Sequence, residues 1–105
     1  MSRQPDGLFD SQFAIGDQSW PGISKLIEEM GELNQVLGKL MGTRGEFNHW
    51  SGDLEPMLYD EMGDVLAAIQ FVTQHCLLDA EQIAKRADKK LAIFNKWQAG
   101  ENDDR

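Results

Sequence analysis

A chain of 105 residues with eighteen acidic and ten basic side chains carries a formal net charge of −8, which disfavours sequence-independent nucleic-acid binding unless cations intervene. Hydrophobic residues at 41% and charged residues at 27% are ordinary globular usage, arguing against a disordered or collagen-like chain and for one small domain that a partner subunit would help. The single Cys76 cannot form an intrachain disulfide, the first twenty residues lack a signal-peptide core, and no apolar run approaches the ~20 residues of a bilayer span. A cytoplasmic protein with no membrane association is expected.

Residues 1–18 hold Gly7, Gly16, scattered Asp and the isolated Phe9, Phe13 and Ile15 without a sustained period, and read as an N-terminal arm. The helical domain is expected over 19–98. Ser19 followed by Pro21 is a helix-start signal, a hydroxyl cap ahead of a proline in the first turn. From Ile23 the residues Leu26, Ile27, Met30, Leu33, Leu37, Leu40 and Met41 recur at steps of three and four, which predicts one buried stripe on a helix reaching Met41. Residues 42–53, with three glycines and no period, predict a loop.

Asp53 then caps a second helix with Glu55 and Pro56 in its first turn; Leu58, Met62, Val65, Ile69 and Val72 form its stripe, and it is expected to end near Leu78. Asp79 with Gln82 three residues later makes a capping-box-like start for a third helix that places Ile83, Ala87, Leu91 and Phe94 on one side. Trp97 falls near its end and reads as core or interface. Residues 99–105 read as a flexible acidic tail. The reading is all-α, without strands.

The segments IEEMGEL (27–33) and YDEMGDV (59–65) repeat one pattern, acid-Glu-Met-Gly-acid-apolar, 32 residues apart, and Leu26, Leu37 and Leu40 match Leu58, Ile69 and Val72. The first two helices therefore look like equivalent halves of an antiparallel hairpin. Each copy sets carboxylates three residues apart, Glu29 with Glu32 and Glu61 with Asp64, on neighbouring turns of one face. At roughly 100° per residue, Glu61 falls within about 40° of Val65, inside the apolar stripe, while Glu29 and Asp64 lie about 100° from the stripe centre, at its border.

A carboxylate in a helix interface loses hydration at a cost of several kcal/mol unless a proton, cation or donors compensate. A ligand set of carboxylates alone suits Mg²⁺, or Mn²⁺ as a substitute, rather than zinc. Gly31 and Gly63, each costing about 0.5–1 kcal/mol inside a helix, are read as letting a partner helix or a ligand approach the backbone. Glu28 and Asp60 lie further round and read as surface or supporting groups.

These residues resemble the MazG-like all-α nucleoside triphosphate pyrophosphohydrolases, whose pattern is Glu-x-x-Glu, a spacer, then Glu-x-x-Asp on two adjacent helices. KLIEEMGEL and EMGDVLAAIQF carry the resemblance, which spans about residues 20–98. It implies hydrolysis of (deoxy)nucleoside triphosphates between the α and β phosphates, to a monophosphate and pyrophosphate, in house-cleaning of the nucleotide pool. It also implies a homodimer or homotetramer in which two subunits complete a four-helix-type bundle from the hairpins and third helices. Glu29, Glu32, Glu61 and Asp64 would hold the metal, and Glu32 or Glu61 would accept a proton from the attacking water. In the basic role that relatives place on the third helix, Lys85 and Lys89 or Lys90 stand here, with no Asn in register. Trp20, Phe47, His49 and Trp50 are candidate platforms for the base, since aromatic stacking tolerates many bases.

Two rivals share these features. A ferritin-like di-iron protein wants Glu-x-x-His twice on helices, and here Glu46-x-x-His49 occurs once in the loop. An acidic helical interaction module explains the periodicity but not an acid within a stripe.

Overall fold

The structure, a computed structural model, describes residues 20–100. The N-terminal arm and Ser19 lie outside the described residues, as does most of the acidic tail. Helix α1 runs Ile23–Gly42, and a two-strand ladder, β1 at Asn48–His49 and β2 at Gly52–Asp53, follows it. Helices α2, Leu54–His75, and α3, Ala80–Gln98, complete the order.

The start of α1 differs from the expectation. Pro21 lies in a turn before the helix, and Gly22 caps it in the left-handed region at φ 89°, its carbonyl accepting the Leu26 N–H at 3.0 Å. The helix stops where Arg44 and Gly45 turn left-handed, at φ 59° and 88°, so that the Gly45 N–H reaches back to the Leu40 carbonyl at 2.7 Å. Asp53 and Asp79 cap α2 and α3 as expected. The Asp53 carboxylate accepts the Glu55 N–H at 3.0 Å, and Asp79 accepts those of Glu81 and Gln82 at 2.9 and 3.4 Å. Helix α2 ends three residues before Leu78, where Leu77 adopts φ 57°.

The segment read as a featureless loop holds a minimal β-hairpin. Asn48 pairs with Asp53 and His49 with Gly52, leaving Trp50 and Ser51 as the turn. Two residues per strand are too few for an alternation to be visible in the sequence.

Helices α1 and α2 pack antiparallel, and their seam buries Val36, Leu54, Ala68 and Val72, flanked by the half-buried Leu26, Leu33, Leu40, Leu58 and Val65. The stripe expected on α1 is therefore two faces. Leu26, Leu33 and Leu40 turn to the seam with Val36, whereas Ile27, Met30, Leu37 and Met41 are exposed. The same division holds on α2, where Met62, expected in the stripe, is exposed beside Tyr59 and Leu66. At about 100° per residue these exposed side chains lie roughly a quarter turn from the seam, in the same sense on both helices. In an antiparallel pair that puts them on one broad side of the hairpin. Helix α3 meets α2 through Ala80, Ile83 and Ala84, which border a groove with Ile69, Gln70, Thr73 and Gln74. Along α3 only Lys90 and Ile93 are even half-buried, and Ile83, Leu91 and Phe94 are exposed.

Gly22 fixes how closely the helices approach. A Cβ built there would sit 2.5 Å from Phe71 Cδ1 and 3.2 Å from Val72 Cγ2, on a backbone that already favours glycine. Gly22→Ala is expected to cost about 1–3 kcal/mol of stability through strain and displaced packing. Urea unfolding measures it, and a variant as stable as the parent would contradict this contact.

Candidate functional site

The contact of Gly22 with Phe71 and Val72 sets the register of the hairpin. Seven residues up α1 and seven back down α2, Glu29 comes level with Asp64 and Val65; three more bring Glu32 level with Glu61. The structure accordingly brings all four acids together across the seam, with one carboxylate oxygen of each within 4.8 Å of the others. Glu29, Glu32 and Glu61 are half-buried and Asp64 is exposed. Glu29, expected at the border, turns further inward, because the seam runs along Leu26, Leu33 and Val36 rather than along the centre of the longer stripe.

Two oxygens of this cluster, Glu29 Oε1 and Glu61 Oε1, are shut from solvent with no hydrogen-bond partner. Loss of hydration pushes both carboxyls above the usual carboxylate range, and the charges of Glu32 and Asp64 push them further. A divalent cation among the four would give both orphaned oxygens a partner and cancel the mutual repulsion, so this donor set fits a hard ion. The structure also adds a group that the sequence reading passed over. Lys25, one turn before Glu29, donates to Glu28 Oε1 at 2.6 Å, and its ammonium is held above its usual range by that bond, by the Glu28 charge and by Glu29 and Glu32. It borders a pocket of about 280 Å³ with Gly22, Glu29, Asp64, Ala67, Ala68 and Phe71. Its i−4 spacing from Glu29 was the available signal.

The substrate-binding candidates fare differently. Trp20 precedes α1 while His49 and Trp50 border its C-terminal half from Gln35 onward, so roughly 20 Å or more of helix separates them, and they form no common platform within one chain. His49 and Trp50 stay together, their ring centroids 5.2 Å apart, and line a groove of about 710 Å³ with Gln35, Gly38, Lys39, Gly42, Thr43 and Asn48. Phe47 is exposed and does not border that groove, and its carbonyl accepts the Leu54 N–H at 2.8 Å. Lys85 and Lys89 are exposed, and Lys90 lies 5.6 Å from the Phe94 ring centroid. None of these α3 lysines is among the charges that shift Glu29 or Glu61, because α3 leaves the hairpin after its first turn. A single chain does not bring them to the acids.

Gly31 and Gly63 do not mark close approaches within the chain. A Cβ at Gly31 or Gly63 would meet nothing within 4 Å, since both positions point away from the seam. No element of the described chain needs glycine there. Glu46 and His49 lie outside the helices, so the Glu-x-x-His arrangement of a di-iron bundle is not formed by them. Comparison with protein-family models, curated proteins and solved structures finds no match.

The raised carboxyls make stability depend on pH. Between the ordinary glutamate value and the raised one, the folded chain holds more protons than the unfolded chain, so stability falls as pH rises through that window and stays low above it. Glu61→Gln, which removes one of these charges at nearly constant shape, is expected to be more stable than the parent at neutral pH in chelator-treated buffer. The difference should close on acidification. Thermal melts across pH read this directly, and a variant less stable than the parent at neutrality would contradict it.

Proposed function

We propose that the chain is a Mg²⁺-dependent nucleoside triphosphate pyrophosphohydrolase, cleaving (deoxy)nucleoside triphosphates between the α and β phosphates and so clearing unwanted nucleotides. The observation that carries the metal part of this reading is the convergence of Glu29, Glu32, Glu61 and Asp64 with two desolvated, unpartnered oxygens. The choice of bond comes from the resemblance of the two acid motifs to the MazG-like enzymes.

In this reading the four carboxylates hold Mg²⁺, with Mn²⁺ as a substitute. When bound, the ion supplies charge neutralisation of the triphosphate and a lower pKa for water. The protein's own groups do the remainder. Glu32 and Glu61 are both candidates for accepting the proton of the attacking water, with the remaining acids as ligands. Lys25 at one end of the acid cluster and Lys39 at the other are the cations of α1, and both face ligand-sized spaces. Lys85, Lys89 and Lys90 would reach the phosphates only from a second copy, and Trp20 stands beside the Gly22 end of the acid-lined pocket, away from His49 and Trp50.

That second copy is part of the proposal. Ile27, Met30, Leu37, Met41, Tyr59, Met62 and Leu66 form a broad apolar side that no described element covers, the kind of surface that marks an interface. Two hairpins joined through it make a four-helix bundle, as a homodimer or as half of a homotetramer, and leave the acid side open to substrate.

A screen of ribo- and deoxynucleoside triphosphates with Mg²⁺, assaying pyrophosphate separately from orthophosphate, tests the chemistry. Pyrophosphate release is expected, reduced by about 100-fold or more in Glu61→Gln, the scale of losing one group that stabilises the transition state. Orthophosphate as the primary product would refute the assigned bond. For the assembly, sedimentation should give a dimer or larger for the parent chain and a monomer for Met30→Glu. A parent chain that sediments as a monomer would remove the bundle.

A further inference from the structure

Resting on the pyrophosphohydrolase reading, we propose that the groove at the hairpin end of α1 is its nucleoside subsite, in which His49 donates from Nε2 to a carbonyl oxygen of the base. The preferred substrates are then triphosphates of oxo bases, uracil, thymine, cytosine or guanine, over adenine. Three observations converge on it.

The first is the state of the His49 ring. The backbone N–H of Ser51 donates to His49 Nδ1 at 3.0 Å, and the Ser51 hydroxyl lies 2.7 Å from the same nitrogen. A backbone amide can only donate, so Nδ1 holds a lone pair and the neutral ring carries its proton on Nε2. The tight turn that places Ser51 directly after Trp50 builds this lock into the β1–β2 ladder. No acceptor among the described residues takes the Nε2–H, although the residue is half-buried. It is a donor whose orientation the turn sets and which no described residue engages.

The second is Trp50, whose side chain is 90% exposed and whose ring is tilted 35° to that of His49. Packing explains neither its size nor its place, whereas an exposed indole beside an oriented donor is what stacking and edge recognition of a base require together. Gln35 and Asn48 border the same groove with amides that donate and accept, and so adapt to the rest of the base edge.

The third is position. Lys39, on the groove, follows Glu32 by seven residues, which is about two turns and roughly 10 Å along the helix, nearly eclipsed on the same side. The groove therefore continues the acid side of the hairpin rather than opening on its apolar side. A phosphate chain at the acids and a base beside Trp50 are joined by the span of a ribose and its α phosphate, with Lys39 between them.

Adenine has no exocyclic oxygen, and its acceptors are ring nitrogens set back from the base edge beside a donating amino group, so a donor placed for a carbonyl oxygen discriminates where stacking does not. The test pairs two variants and two readouts. In pyrophosphate-release assays, uridine and guanosine triphosphates should show lower KM than adenosine triphosphate. His49→Phe, which keeps a ring but loses the donor, should raise KM for the oxo bases by about five- to ten-fold and largely abolish the preference. Trp50→Ala should raise KM for all bases by roughly ten-fold. Independently of turnover, uridine monophosphate should quench Trp50 fluorescence and shift the His49 Nε2 resonance in ¹⁵N spectra of the parent, with Nδ1 remaining the unprotonated nitrogen.

A preference that survives His49→Phe, a protonated Nδ1 in the neutral ring, or monophosphate binding that leaves both resonances unmoved overturns the subsite. Should no triphosphate release pyrophosphate while the monophosphate still perturbs His49 and Trp50, the subsite stands and the hydrolase reading is what fails.

Discussion

Four carboxylates drawn from two helices share a space in which each offers an oxygen within 4.8 Å of the rest, and within this cluster Glu29 Oε1 and Glu61 Oε1 are shut from solvent with no hydrogen-bond partner. Left as charges they oppose the packing of the helices that carry them, since removal from water and mutual repulsion act in the same direction. A seam of small and medium apolar side chains, Val36, Ala68 and Val72 among them, holds the helices together against that opposition. The register that makes the acids meet is set some two turns away, where Gly22 lets the chain before α1 lie against Phe71 and Val72. A glycine-dependent contact at one end of the hairpin thus positions the charged cluster in its middle.

The duplicated motif turns this arrangement into a two-sided sheet of helices. Because both copies carry methionine one position after the inward Glu, the two helices present apolar side chains on the same broad face and the outer acids, Glu32 and Asp64, on the opposite one. In the proposed function, the first face takes another hairpin and the second a charged ligand. The spaces flanking the acids, bordered by Lys25 and Phe71 at one end and by Lys39, His49 and Trp50 at the other, lie along the second face. In the proposed function, a cationic side chain at each end of the acidic centre would meet a polyanion that arrives with a cation.

Much of this was legible in the sequence, and the exceptions have physical reasons. Caps at Asp53 and Asp79 are local chemistry, hydrogen bonds between residues two or three apart, and they fall where the residue types place them. The metal-like cluster was legible because the motif is repeated at helical spacing. The division of the α1 stripe was not, since a run at steps of three and four describes a wide apolar surface without saying which half meets a neighbour; Val36 went to the seam and Met30 and Leu37 to solvent. Nor could spacing show that α3 peels away from the acids, or that Trp20 and Trp50 stand at opposite ends of one helix. Gly31 and Gly63 looked like close approaches and meet nothing in the chain, because helical glycine identifies a missing side chain but not the direction it leaves open.

The central claim is that the carboxylate cluster is a cation site, and binding to the folded state must then appear as stability. The direct measurement is the thermal unfolding midpoint of the parent chain and of Glu61→Gln during titration with Mg²⁺, at ionic strength held constant with Na⁺. The account requires the parent midpoint to climb with the logarithm of Mg²⁺ concentration once the site begins to fill, and the climb to be largely lost in the variant. A parent midpoint that ignores Mg²⁺, or a variant that responds as strongly as the parent, would contradict it.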